Sequence, residues 1–239
     1  MLWRVNGEWA LMLGGGRALI LQVAHPLVAA GVEQHSGYRE DPWGRLYRTL
    51  DLTTRIVFGS TDVAERAVAT LWKVHGRVRG VADDGTPYDA RDPELLLWVH
   101  ATLLDTALVA YQRFVRRLSI ADLERYYEEQ KLLGEKFGIP RERIPASYGE
   151  FNDYFASMLE GDSLRWTPTL QAVADMTLRF GPLDMITVGL LPAPVRDILD
   201  LEWGPRRERL LGASQRVARS VVPRLPRLVR ELPPARRAA

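Results

Sequence analysis

The fold class of this chain is decided by residues 92–114, DPELLLWVHATLLDTALVAYQRF. Asp92 can cap a helix with its side chain, and Pro93 takes the first helical position, where its missing N–H costs nothing. Apolar residues then recur every three or four positions up to Phe114, which is the period of one helix face. His100 lies within this stripe, so we expect a long core helix that contains a buried histidine.

Similar helix signals occur on both sides of this stretch. Asp41-Pro42 opens a helix that runs to about Phe58, and Ser60-Thr61-Asp62 opens another, whose apolar stripe includes His75. Further helices are predicted near 16–34, 119–137, 147–161, 167–179, 193–201 and 205–222. Strand-like alternation is almost absent, apart from a turn or short hairpin at 83–87. The sequence therefore predicts an all-α fold, with one domain of eight to nine helices over 1–222. A Pro- and Arg-rich tail follows over 223–239, where the prolines at 223, 226, 233 and 234 are expected to end regular structure.

Composition excludes several classes of protein. The chain has 239 residues, 46% of them hydrophobic, and a formal net charge of only +2, which is typical of a globular protein and unlike a disordered one. It contains no cysteine, so disulfides, Fe–S clusters, thiolate nucleophiles and Cys-ligated zinc are excluded. A metal would need His, Asp, Glu or Tyr as ligands.

The chain shows no pattern of membrane insertion or secretion. Its longest uncharged run, from Ala18 to Val32, is shorter than the roughly 20 apolar residues of a spanning helix, and it contains His25 and Pro26. Glu8 and Arg17 interrupt the N-terminal region, where a secretory signal would be apolar. We therefore predict no transmembrane segment and a cytoplasmic location.

Positive charge is concentrated at the end of the chain. From Pro205 onward there are ten arginines and two glutamates, a net charge of +8, which leaves about −6 for the first 204 residues. The favoured interpretation is a surface helix whose arginines pair with an acidic body. No nucleic-acid-binding motif accompanies them, so we predict no nucleic-acid partner and at most weak contact with a membrane surface.

Three common catalytic motifs are absent. The glycines at 14–16 do not have the GxGxxG or Walker spacing, and no strand precedes them. There is no GxSxG nucleophile elbow and no HExxH zinc motif. A glycine-rich helix start is the better interpretation of 14–16.

Two constellations could bind a ligand. Arg45, Arg48 and Thr49 share one helix face and could hold an anion, although a solvated, salt-bridged surface fits the same spacing. His75 precedes Gly76, whose missing side chain would let a flat ligand approach, and a buried neutral imidazole suits haem iron. For both His75 and His100, a core histidine bonded to a carbonyl is the structural alternative.

Five segments, in this order and spacing, carry a family resemblance: QVAHP at 22–26, GVEQHS at 31–36, RLYRT at 45–49, VHGRVRG at 74–80 and WVHAT at 98–102. On these segments the chain resembles the MpaB/rubber oxygenase family, formerly a domain of unknown function, which includes latex clearing protein. The resemblance implies an all-α, globin-reminiscent fold. In the characterised rubber-cleaving branch it also implies a b-type haem that is used with O2 to split carbon–carbon double bonds of polyisoprene.

The resemblance also implies roles for particular residues. The family's proximal haem histidine matches His75, and its Arg-x-x-Lys-Thr haem-pocket motif matches Arg45, Arg48 and Thr49. The distal lysine of that branch is therefore Arg48 here, and a guanidinium cannot ligate iron because it stays protonated. That branch also uses a glutamate as a base, for which Glu33 and His25 are the candidates.

From this resemblance we predict a haem b-dependent oxygenase that acts with O2 on an apolar prenyl, terpenoid or lipid-like molecule rather than on rubber. His75 would ligate iron, Arg45, His25 and His100 would contact the cofactor, and Arg48 and Thr49 would orient O2. An unidentified electron donor is a further partner. The alternatives are a non-catalytic haem or lipid binding or sensing protein with the same pocket, and a helical interaction protein without haem.

Overall fold

Helices make up nearly all of the fold. The computed structural model describes residues 1–179 and 181–238, and the side chains at positions 42, 43, 45, 46 and 238 lie outside this description. Its α-helices are α1 (Leu2–Asn6), α2 (Gly15–Ala24), α3 (Pro26–His35), α4 (Pro42–Phe58), α5 (Thr61–His75), α6 (Pro93–Phe114), α7 (Ile120–Lys136), α8 (Tyr148–Glu160), α9 (Pro168–Thr177), α10 (Pro182–Leu190), α11 (Ala193–Ile198), α12 (Pro205–Val221), α13 (Arg227–Arg230) and α14 (Pro233–Ala238). Short 3-10 helices lie at Trp9–Gly14, Arg141–Arg143 and Val222–Arg224.

The all-α prediction is confirmed. The described residues contain only one hairpin, formed by antiparallel strands β1 (Arg79–Val81) and β2 (Pro87–Asp89), with Gly80 opposite Tyr88. Four helices were not indicated by the sequence pattern, namely α1, α10, α13 and α14. Each has nine residues or fewer, and such short segments contain too few turns to show a helical period.

The core is built around α6. Its N-cap is formed as expected, because the Asp92 side chain accepts a hydrogen bond of 2.9 Å from the N–H of Glu94. Trp98 and Tyr111 are fully buried, and Trp98 stacks on Phe155 of α8 at 5.7 Å between ring centroids. Residues of α2, α3, α7, α8, α9 and α11 complete this cluster. The predicted core stripe of α6 is therefore confirmed, except at Leu103, which is 39% exposed.

Helix α6 is also long and apolar enough to cross a membrane, judged by length and composition. In the structure, however, 72% of its apolar window is buried by other parts of the protein. The bent segment from Trp9 to His35 passes the same test only if its two arms are taken together. Among the described residues, the one straight helix of this kind is thus the core helix of the fold.

The single helix predicted at 16–34 is wrong. The chain forms α2 and α3 instead, which are bent by 104° at the His25-Pro26 step. Proline lacks the N–H of an internal helical residue and forces the preceding residue into extended backbone. His25 has that conformation, with ψ of 119°. The bend places His25, one of the predicted site residues, at the corner between α2 and α3.

The expectation that regular structure ends at Pro223 is also wrong. Helices α13 and α14 follow, because Pro226 and Pro233 stand at helix starts, where a fixed φ is favourable. The segment is attached to the N-terminal region by a 2.7 Å hydrogen bond from the Leu232 N–H to the carbonyl of Gly7. Ala235 is buried, with 5% of its surface exposed.

The predicted pairing of the C-terminal arginines with an acidic body holds for Arg230 alone among the described residues. Among the described residues, only Arg227 and Arg230 of this region form ion pairs with carboxylates, which belong to Glu231 and Glu8. Glu208, the other acidic residue of the region, accepts a hydrogen bond from the Trp203 indole instead. The positive charge of α12 is therefore not neutralised within the described structure.

Candidate functional site

His75 is the last residue of α5, where the helix meets the β-hairpin. Its carbonyl accepts a 2.9 Å hydrogen bond from the N–H of Val78, which turns the chain toward β1. Ala90, just after β2, donates to the carbonyl of Val78 at 2.9 Å. These backbone contacts hold the end of α5 against the base of the hairpin, so the position of His75 is well determined by local structure.

The imidazole of His75 is half-buried. Among the described residues, neither of its ring nitrogens has a hydrogen-bond partner. Burial lowers the pKa of His75, the guanidinium of Arg91 lowers it further, and Asp89 acts in the opposite direction. The ring is therefore neutral at physiological pH and keeps a lone pair, which is the form that binds a metal.

The space beside Gly76 is not open to a flat ligand, contrary to the sequence-based interpretation. The guanidinium of Arg91 fills it, and a Cβ built at Gly76 would lie 2.3 Å from an Arg91 nitrogen. Arg91 also lies over the Trp72 ring at 5.2 Å and donates to the Trp72 carbonyl at 2.9 Å. Glycine at position 76 thus accommodates an arginine, and Arg91 is a site residue that sequence reasoning missed.

Helices α4 and α5 form a helical hairpin that brings the Arg-x-x-Arg-Thr motif toward His75. Only Gly59 and Ser60 join them, and Ile56 of α4 packs in one apolar cluster with Ala67 of α5. Two antiparallel helices with so short a connection have matching residues at equal distances from the turn. Arg48 is therefore level with Leu71, one helical turn before His75.

The side chains of this motif are less enclosed than predicted. Arg48 is 64% exposed and donates to the carboxylate of Asp41, the N-cap of α4, at 3.1 Å. Thr49 is also exposed. The backbone of Arg45 belongs to α4, but its side chain lies outside the described part of the structure. The described atoms thus place Arg48 and Thr49 on the helical hairpin near the level of His75. They do not form a closed pocket around these two side chains.

His25, at the corner between α2 and α3, is the second notable imidazole. Its Nδ1 is buried and has no hydrogen-bond partner among the described residues. Burial lowers the pKa of His25, and Arg165 lowers it further, against the opposing effect of Asp92. His25 is therefore neutral and presents an unused proton acceptor.

The turn at 89–92 has a carboxylate at each end, and each carboxylate acts on one of the two histidines. The carboxylate of Asp89, at one end, acts on His75, and the carboxylate of Asp92, at the other, acts on His25. The N–H of Asp92 donates to the carbonyl of Asp89 at 2.9 Å, so the turn is closed. One turn thus carries both of the carboxylates that act on these two imidazoles, although 49 positions lie between the histidines in the sequence.

Glu33, the other candidate base, is already occupied. Its carboxylate accepts hydrogen bonds from Arg39, from Tyr38 at 2.7 Å and from Thr169 at 3.1 Å. The bond from Arg39 makes the largest contribution to lowering the pKa of Glu33, followed by that from Tyr38. A carboxylate held in its charged form by three donors is a weak base.

His100 has the surroundings of a core histidine. It is 6% exposed, and its Nε2 lies 3.0 Å from the carbonyl oxygen of Gln130. Its ring meets Phe137 edge-on at 5.7 Å. Burial lowers its pKa to about 4, so it stays neutral over the physiological range. We leave His100 out of the candidate site, which consists of His75, His25, Arg48, Thr49 and Arg91.

Comparison with known proteins places the chain in a family. A family model described as the catalytic domain of the ER-bound oxygenase mpaB/B' and rubber oxygenase matches residues 3–222. Uncharacterized proteins of Mycobacterium bovis and Mycobacterium tuberculosis are each 27% identical over 170 residues, which is 64% of this chain and 60% of theirs. No solved structure gives a significant match. This chain belongs to the mpaB/rubber oxygenase catalytic-domain family.

Proposed function

We propose that the protein is a haem b-dependent oxygenase that uses O2 on an apolar prenyl, terpenoid or lipid-like substrate. The observation that carries this proposal is the neutral, half-buried imidazole of His75, without a ring hydrogen bond among the described residues, in a chain of an oxygenase family. A core histidine normally satisfies a ring nitrogen with a carbonyl, as His100 does. His75 is half-buried rather than fully buried, and it lacks such a partner among the described residues.

The described residues fit a haem ligand set in donor chemistry. His75 offers the neutral nitrogen that an iron ligand needs, and Arg91 places a guanidinium next to it that can pair with a propionate after leaving the Gly76 surface. Haem b held by an imidazole would supply O2 binding and the redox chemistry of oxygenation. Arg45 is a second candidate for propionate pairing through the family motif.

The remaining residues of the candidate site would stabilise developing negative charge or accept a proton. Arg48 and Thr49 are hydrogen-bond donors at the same end of the α4–α5 hairpin, and donors aimed at developing negative charge are strong contributors to catalysis. His25 can accept a proton at its unpartnered Nδ1. This assignment gives the proton-accepting role to His25 rather than to Glu33, whose carboxylate is already held by three donors.

Haem loading followed by oxygen-uptake measurement tests the proposal. We expect the full chain incubated with haem b to give a Soret band, and to consume O2 in proportion to the loss of a prenyl alcohol presented in detergent. A Soret band without O2 uptake on any prenyl or terpenoid chain would favour the non-catalytic binding protein. Absence of a Soret band would overturn the haem assignment.

Replacing Arg48 by alanine should lower oxygen uptake by about 10²-fold at unchanged haem content, because one lost donor of this type has an effect of that order. The control is Asp41→Asn, which keeps an N-cap side chain but removes the charge paired with Arg48. This control should retain activity. If Arg48→Ala expels haem while activity per bound haem is unchanged, Arg48 anchors a propionate and does not orient O2.

A further inference from the structure

The outer face of α12 is apolar as well as basic. Leu210, Val217 and Val221 are 61%, 63% and 49% exposed, and they lie at i, i+7 and i+11, which is one stripe along the helix. A neighbouring stripe, which includes Leu211 and Gln215, faces the core and is buried. The exposed stripe is therefore a second apolar face, in addition to the one that the fold uses.

The segment after α12 exposes further apolar side chains. Leu228 and Val229 of α13 are 73% and 58% exposed. An isolated antiparallel bridge joins Glu231 to Glu8, so α13 ends beside the N-terminal 3-10 helix. In that helix Trp9 is 47% exposed, and tryptophan is a residue that favours the boundary between water and lipid.

The same segment carries six arginines, at positions 206, 207, 209, 216, 219 and 224. Among the described residues, none of the six forms an ion pair with a carboxylate. Arg207 and Arg209 donate only to backbone carbonyls, those of Glu202 and Pro205. We call this set of arginines, with Trp9 and the exposed apolar residues of α12 and α13, the basic apolar surface.

The start of α12 also contains a surface depression that is lined mainly by basic side chains. An open depression of about 470 Å³ is lined by Arg206, Arg207 and Arg209 together with Glu202 and Gly204. Three guanidinium groups around one depression attract a phosphate, and several phosphates are attracted more strongly than one. The recess and the exposed apolar stripe belong to the same helix.

We propose that the basic apolar surface docks the protein on a bilayer that contains anionic phospholipids. A nucleic acid would use the arginines but would leave Leu210, Val217 and Leu228 in water. An anionic bilayer uses both features, because its phosphates pair with the arginines while its acyl boundary accepts the apolar side chains. Helices with one charged and one apolar side lie in this way at the interface of a membrane.

Vesicle sedimentation with the full-length chain tests the proposal. We expect binding to vesicles of phosphatidylcholine mixed with phosphatidylglycerol, and little binding to phosphatidylcholine alone. Binding should fall steeply at about 1 M salt, where the screening length is only about 3 Å. Equal binding to both vesicle types, or binding to neither, would overturn the proposal.

Two sets of variants separate the apolar and the charged contributions. Leu210→Ser/Val217→Ser should lower partition into the anionic vesicles by about tenfold or more, because it removes two side chains that would insert. The matched control is Ile120→Ser/Leu132→Ser in α7, whose residues are 78% and 59% exposed and lie outside the surface. It should bind as the wild type does. Arg206→Gln/Arg207→Gln/Arg209→Gln should also lower binding and should weaken its salt dependence.

Two other occupants of the surface would appear in the same experiments. Duplex DNA that binds as tightly as the vesicles, with no effect of Leu210→Ser/Val217→Ser, would overturn the proposal in favour of nucleic acid. A wild-type dimer that becomes monomeric in that variant, together with absence of vesicle binding, would identify a second copy of the chain as the occupant. Circular dichroism of each variant checks that the fold is retained.

Discussion

Replacing His75 by alanine should abolish the Soret band of the haem-loaded protein and leave its helical circular dichroism nearly unchanged. The side chain is half-buried at the end of α5, and among the described residues its ring holds no hydrogen bond that the fold would lose. The backbone contacts that end the helix use the His75 carbonyl, which alanine keeps. Loss of the imidazole therefore removes an iron ligand with little structural cost.

The matched control is His100→Gln in α6. Glutamine can still donate to the Gln130 carbonyl that Nε2 of His100 meets, so the core contact is kept while the imidazole is removed. This variant should retain the wild-type spectrum. The opposite pattern, with haem kept in His75→Ala and lost in His100→Gln, would move the ligand into the core helix. Loss of folding in His75→Ala would make His75 a structural residue.

Local signals were sufficient to predict the long helices. Asp41 and Asp92 precede prolines, and in the structure each carboxylate accepts a backbone N–H at the start of its helix, at 2.9 Å in both cases. The buried stripe of α6 was predictable for the same reason, since it depends only on spacing within one helix. The His25-Pro26 step was equally local, yet the apolar residues on both sides suggested a continuous helix and obscured the bend.

Contacts between distant segments could not be read from spacing. Gly76 suggested space for a ligand, but Arg91 occupies that space, and nothing in the spacing of positions 76 and 91 shows that the hairpin brings them together. The effect of the Asp92 carboxylate on His25 likewise depends on packing between segments that are distant in the sequence. The candidate site residues that the sequence predicted lie within a single helix or motif. The residue that it missed, Arg91, depends on tertiary packing.

The same distinction applies to the C-terminal segment. Its arginines suggested partners on an acidic body, because charge balance alone favours such pairing. In the structure one carboxylate, that of Glu8, forms a buried contact with Arg230, while four arginines of α12 are exposed and Arg219 donates to the carbonyl of Arg113. The total charge of a chain does not specify which charges meet, since burial and geometry determine this.

Replacing Arg230 by methionine should lower the free energy of unfolding by about 2 to 3 kcal/mol at neutral pH, toward the lower end of the effect of breaking a buried pair. Glu8 is 2% exposed, its Oε1 lies 3.3 Å from Arg230, and its Oε2 has no partner among the described residues. Methionine fills a similar volume but leaves the carboxylate buried without its nearest cation. Arg230 is 24% exposed, so water reaches part of the vacated space and limits the loss.

The pH dependence of this loss distinguishes charge from packing. Burial raises the pKa of Glu8 above its ordinary value, Arg230 opposes this effect, and removing Arg230 should raise the pKa further. Because the variant's folded state then binds a proton more readily than that of the wild type, the difference in stability is largest at neutral pH and shrinks as the pH falls and Glu8 becomes protonated. Denaturant unfolding at several pH values measures it.

The control is Arg227→Met, which removes one of the two cationic partners of Glu231, from a position that is 61% exposed. An exposed ion pair contributes about 1 kcal/mol or less, so this variant should stay close to the wild type at every pH. Adding Glu8→Gln to Arg230→Met should recover part of the lost stability, because the uncompensated charge is removed. A loss in Arg230→Met that is equal at all pH values and unaffected by Glu8→Gln would show that packing, rather than the buried charge, attaches the C-terminal segment to the N-terminal region.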